Sequence, residues 1–162
     1  MRSERPNLSP YSRAETQGSA VAHGSALLIG VPLTVFLLPL PLSLVPCPVV
    51  AYLIARAFRR RKLAWGAFQG MQASFVHLLI LILMVIASRL NGSLALILVF
   101  WTAGVLLFIY SLWGAVDTAL GYDFRYMGIS SLLDRVSQAN LDRQERRRRW
   151  FGGWSNKDSQ DR

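Results

Sequence analysis

Residues 56–77 read RAFRRRKLAWGAFQGMQASFVH, and this stretch decides the fold. It opens on the cations Arg56, Arg59, Arg60, Arg61 and Lys62, then passes through an aromatic–glycine step into an apolar segment. On its N-terminal side lies Thr16–Ala55, 40 residues without Asp, Glu, Lys or Arg. On the other side Leu63–Ser88 is 26 residues of the same kind and Leu90–Val116 is 27. A hydrocarbon core ~30 Å thick needs roughly 20 apolar helical residues, so each run is long enough to cross it. A soluble helical bundle of 162 residues would carry charged residues every few positions on its outer faces, and these runs carry none. The chain, 52% hydrophobic with a net charge of +9, is expected to be an all-α polytopic membrane protein with one membrane domain.

Thr16–Ala55 is too long for one crossing, because as a straight helix it would run about 60 Å. Five of the seven prolines fall within it, and Pro39-Leu40-Pro41 is a natural place to end one helix and turn. The expected helices are 20–38, 42–57, 65–88 and 93–116, with Asn91-Gly92 breaking the last pair. The second is short and interrupted by Pro46 and Pro48, so a re-entrant first hairpin is the alternative to four full crossings. Residues 1–19 read as a disordered cytosolic arm; the apolar run behind it is far longer than the ~7–15-residue core of a cleaved signal. After residue 117 comes a juxtamembrane segment, 118–151, in which Ile129, Leu132, Leu133 and Val136 recur with helical spacing as a basic amphipathic helix. Residues 152–162 read as a disordered tail.

Charge placement sets the orientation. With four crossings, 17 of the 18 cations fall on one side, and only Arg89 lies opposite. With three, the division drops to 14 against 4. Cytoplasmic loops carry the excess of Lys and Arg, so both termini are expected in the cytoplasm.

Gly66, Gly70, Ala73 and His77 fall within about 40° of one another on a helical wheel. The Gly66–Gly70 pair is the spacing that lets a second helix approach closely. His77 continues that stripe into the apolar run, with His23 as a candidate partner on the first helix. An ionisable group at such depth usually faces the bundle or water. Gln69 and Gln72 lie where the third helix enters the lipid, suited to hydrogen bonds between helices or to lining a polar path. Asp117 ends the fourth helix beside Tyr110 and Trp113, which mark the interface with water.

Arg59, Arg60, Arg61 and Lys62 form one basic cluster, and Arg146, Arg147, Arg148, Arg149 and Trp150 form another. Beside a membrane these read as contacts to anionic lipid headgroups with aromatics inserted among them. No motif for reading bases accompanies them, so nucleic acid is not the expected partner. The lone Cys47 permits neither an internal disulfide nor a cysteine cluster, and two histidines without neighbouring acids make no metal site. Nucleophilic triads, a phosphate-cradling glycine loop and paired intramembrane carboxylates are all missing. Neither enzymatic activity nor a cofactor is expected.

A Pro-containing apolar hairpin, a basic loop and then Phe68-Gln69-Gly70-Met71-Gln72-Ala73 resemble the chloroplast inner-envelope import channel subunit, the twenty-kilodalton Tic component. The same residues resemble its small bacterial membrane-protein relatives, in which a His stands early in the first helix, as His23 does here. A Gly-x-x-x-x-Tyr piece follows their last helix, like Gly121-Tyr122-Asp123-Phe124-Arg125-Tyr126. The resemblance covers roughly residues 20–133, and Gly70 departs from the family's Asn-containing step. It implies a membrane fold and, from the plant members, a link to preprotein import.

Three functional readings follow. The first is a non-catalytic membrane scaffold or translocation-related subunit that assembles with itself or with another membrane protein through the Gly66/Gly70 face. The second is a small oligomeric transporter or channel in which His23, Gln69, Gln72, His77 and Asp117 line a polar path. The third is a membrane-tethered nucleic-acid binder using the basic tail.

Overall fold

The computed structural model of the chain describes residues 10–90, 93–131, 133 and 135. The chain up to Arg125 forms one compact unit and the chain from Tyr126 another. Four helices in the first unit are long and apolar enough to cross a membrane. They are α1 (Arg13–Phe36), α2 (Leu42–Arg60), α3 (Ala64–Arg89) and α4 (Leu94–Ala119), and no strand occurs among the described residues.

The first helix starts at Arg13 rather than at Ala20. Its start is fixed by a capping box: the Ser12 hydroxyl accepts from the Glu15 N–H at 3.3 Å, and the Glu15 carboxylate accepts in return from the Ser12 N–H. Two of the helix's unpaired N-terminal donors are satisfied in this way, so polar residues outside the apolar run are helical. Further along, Ala26–Gly30 is a π-helical turn, in which the Val31 N–H reaches back to the Ala26 carbonyl. Pro32 follows directly, and the widened turn accommodates a ring that would clash with the carbonyl of an ordinary α-turn.

The break between α1 and α2 falls at Pro39 and Pro41, as expected. A 3₁₀ turn, Leu42–Leu44, opens α2, and its regular part runs Pro46–Arg60. Pro46 and Pro48 therefore sit in the first turn of that part, where an N–H would lack an intrahelical partner anyway. They start the helix instead of interrupting it. The whole of α2, 19 residues, spans about 28 Å.

Between α2 and α3 the chain turns with the bonds Lys62 N–H to Arg59 carbonyl and Leu63 N–H to Phe58 carbonyl, at 3.1 and 3.0 Å. This is the Schellman arrangement, and its left-handed position, usually glycine, is taken by Lys62 at φ 60°. The 26-residue helices α3 and α4 complete the unit.

α1 and α3 each pack against all three other helices, with α2 and α4 flanking them. Ala22, Ala51 and Ala73, from α1, α2 and α3, are fully buried where those three helices meet. Alanine lets the backbones come close, which is how helices pack when apolar burial supplies no drive. Polarity runs inside out. His23, Gln69, Gln72 and His77 are 0–2% exposed, while leucines, valines and Trp113 stand outward. α4 is outermost: 11% of its most apolar window is buried, against 44% for α3.

One end of the bundle collects Tyr11, the α2–α3 turn and residues 121–125. Tyr11 stacks on Trp65 with ring centroids 4.0 Å apart, and the Trp65 indole N–H donates to Asp123 at 3.2 Å. Arg59, Arg60, Arg61 and Lys62 are exposed at this end, while Arg89 closes α3 at the other. In the second unit residues 129–131 are helical. Leu133 and Arg135 are helical as well, and the remaining residues of the expected amphipathic helix, the Asn91-Gly92 turn and the Arg146–Trp150 cluster lie outside the described residues.

Candidate functional site: a buried histidine–glutamine network

His23 on α1, Gln69 and His77 on α3 and Ser111 on α4 are buried together and joined by hydrogen bonds. His77 is the inner node. Its Nε2 lies 3.2 Å from the His23 backbone carbonyl and 3.1 Å from the Ser111 hydroxyl, which itself donates to that carbonyl at 2.7 Å. A carbonyl only accepts and the Ser111 proton is already engaged, so Nε2 carries the proton. Nδ1 is then the acceptor, and the Ser25 hydroxyl 3.1 Å away donates to it. The same hydroxyl lies 3.3 Å from the Cys47 carbonyl on α2. One imidazole thus connects α1, α3 and α4, and the Cys47 thiol on α2 donates to the Ser25 carbonyl of α1 at 3.7 Å.

Gln69 is the outer node. Its Nε2 donates to the Asp123 carboxylate at 3.1 Å and to the Phe124 carbonyl at 3.0 Å. Those two acceptors fix the orientation of the amide and leave Oε1 to accept from the His23 Nε2–H, 3.2 Å away. Phe124 sits edge-on to the His23 ring and to Tyr110, with centroids at 5.8 and 5.3 Å.

A glycine-ended turn brings Asp123 and Phe124 back over the bundle. The Gly121 N–H bonds to the Thr118 carbonyl and the Tyr122 N–H to the Asp117 carbonyl, a second Schellman cap, with Gly121 at φ 83°. Asp117, expected at the interface with water beside Tyr110 and Trp113, is half-buried and contributes its backbone carbonyl to this turn. Gln72 is fully buried on α3.

Gly66 and Gly70 have a different use from the assembly between chains that their spacing suggested. A Cβ on Gly70 would lie 2.9 Å from the Ala55 Cβ and 3.0 Å from its Cα and N. A Cβ on Gly66 would lie 2.9 Å from the Phe58 ring. The glycine face is therefore already covered by α2 of the same chain. Glu15 adds to this contact: its second oxygen accepts from the Gly66 N–H at 3.5 Å, so one carboxylate serves the starts of both α1 and α3.

Ser25, Ser111, Glu15 and Asp123 escaped the reading of the sequence. A lone serine in an apolar run gives no periodic signal. Asp123 and Phe124 did fall within the Gly121–Tyr126 piece singled out by its spacing, but nothing in the sequence points that piece at Gln69.

The network can hold helices together; it is poorly built to pass protons. Between Asp123 and His23 stands a carboxamide, and between His23 and His77 a backbone carbonyl, neither of which readily takes up and releases a proton in turn. Among the described residues no group of three or more His, Cys, Asp or Glu could hold a metal ion. No family model matches this chain. Neither the curated proteins nor the solved structures provide a match either. The likeness to import-channel subunits rests on the residues quoted for it above.

Proposed function

We propose that the protein is a non-catalytic integral membrane subunit of the import-channel-like kind, serving as a scaffold or in translocation. In this reading four helices cross a bacterial inner membrane with both termini cytoplasmic, and Arg59–Lys62 rest on anionic headgroups. The observation that carries it is the inside-out bundle, in which His77 ties α1, α3 and α4 and the Cys47 thiol ties α2 to α1, while apolar side chains face outward. Such a body is rigid within and leaves α4 open to lipid or to another membrane protein.

The test is photocrosslinking in native membranes from probes at Trp101 and Ile109, two outward positions on α4. Adducts with a secretion or insertion component are expected. Lipid adducts alone would remove the subunit half of the proposal and leave a free-standing membrane protein.

A second reading, a small oligomeric transporter or channel, draws on the polar groups that run from the partly exposed Asp123 inward to His77. It requires that His77→Leu together with Gln72→Leu abolish flux in proteoliposomes. Unchanged flux in a folded double variant would exclude it.

A further inference from the structure

We propose that residues 121–125 form a latch that seals the basic end of the bundle and controls whether water and small polar solutes reach His23 and Gln69. The latch goes beyond the function proposed above and holds for a scaffold and a channel alike.

The segment is built unlike the rest of the unit. The helices pack through alanine and glycine, whereas this stretch is non-helical and each of its last three side chains has its own receptor. The Asp123 carboxylate accepts from the Trp65 indole and from the Gln69 amide. Phe124 fills the space beside the His23 and Tyr110 rings, and the Arg125 guanidinium lies 5.6 Å over the Phe68 ring. Beneath these contacts His23 and Gln69 are 0% exposed, although Gln69 lies near the start of α3. Above them the contacts are wet: the Asp123 and Arg125 side chains are 41% and 55% exposed. A short segment held by a few polar contacts at a hydrated edge belongs to the part of a structure that opens at lowest free energy. Gly121, at φ 83° directly after α4, supplies a joint about which the segment can swing without disturbing the helix.

Opening would break the Gln69 bonds to Asp123 and Phe124 but not the Gln69–His23 bond. The exposed surface would then present the amide and the imidazole edge to water. His77 would stay closed, because its partners are Ser25, Ser111 and the His23 carbonyl, all within the bundle.

The chain has two histidines, one beneath the latch and one below it, which makes the test clean. Full-length protein in lipid nanodiscs is treated with diethyl pyrocarbonate, and acylation at each histidine is followed by mass spectrometry. In the unsubstituted protein both should be protected. Asp123→Asn keeps the shape of the latch but gives up the charge-assisted bonds, which are roughly twice as strong as neutral ones, so His23 should react about tenfold faster. Phe124→Ala should raise the rate further, and His77 should stay protected in both. Three results overturn the latch: His23 already fast in the unsubstituted protein, His23 unchanged in both variants, or both histidines rising together, which reports a loosened bundle.

Discussion

Gln69→Leu keeps the side-chain volume but removes the amide that donates to the Phe124 carbonyl and the oxygen that accepts from the His23 Nε2–H. A buried polar group left without its partner costs about 1–3 kcal/mol. His77→Leu is the milder change, because its neighbours keep other partners: Ser111 still donates to the His23 carbonyl and Ser25 still reaches the Cys47 carbonyl. Its cost should stay near the ~0.6–2 kcal/mol typical of one hydrogen bond between membrane helices. Thermal melting in detergent should therefore rank Gln69→Leu below His77→Leu, and the reverse order would show that His77 is the principal tie. Gln69→Glu sharpens the point, since it still accepts from His23 but sets a second carboxylate against Asp123. It should melt below Gln69→Leu; an equal or higher midpoint would mean that the carboxylates separate into water. The histidines and glutamines were legible in the sequence because such residues stand out in an apolar run. Their serine partners were not, since a hydroxyl in an apolar helix can bond to its own backbone, as Thr34 does to the Gly30 carbonyl at 2.9 Å.

Gly66 and Gly70 share a spacing but differ in what they touch, and the difference is testable. An alanine at Gly70 meets the Ala55 backbone, which can yield only if two helices separate, whereas at Gly66 it meets the root of the Phe58 ring, whose far end abuts Gly18. Each should cost about 1–3 kcal/mol, and a smaller residue at Phe58 should relieve the second but not the first. Gly70→Ile should lower the melting temperature without converting one oligomeric size to another by light scattering in detergent, because α2 of the same chain fills that face. A clean change in oligomer size at unchanged stability would sink the assignment. Helix number and order were readable from run lengths and prolines. Helix starts were not: the Ser12–Glu15 capping box places polar residues in α1 ahead of the apolar run, and the 3₁₀ turn at Leu42–Leu44 lets Pro46 and Pro48 open the regular part of α2. Both depend on local hydrogen bonding that hydropathy does not register.

At the level of the whole molecule, the stacked Tyr11–Trp65 rings and the Trp65–Asp123 bond gather three separate segments at the end that carries Arg59–Lys62. Fusions at both termini should accordingly report one side of the membrane, with a fluorescent protein active in the cytoplasm and alkaline phosphatase silent. Reporters on opposite sides would leave an odd number of crossings. Replacing Arg59–Lys62 by alanine leaves 13 cations on that side against Arg89 alone on the other, so the orientation should hold. The π turn at Ala26–Gly30 has a consequence for how this chain can change length. A π turn is an α-helix with one residue to spare, and the spare residue here lies among Leu27 and Leu28, which are 46% and 58% exposed. Deleting Leu28 would return the turn to ordinary α-geometry while keeping His23 before it, and Gly30 and Thr34 after it, on their present faces. The same deletion at Leu79 would rotate half of α3 by about 100° and scatter its buried face. A membrane-inserted, folded product from the first deletion and none from the second is the expected outcome. Among its four helices, the first would then be the one whose length evolution can trim by a single residue without redrawing the bundle.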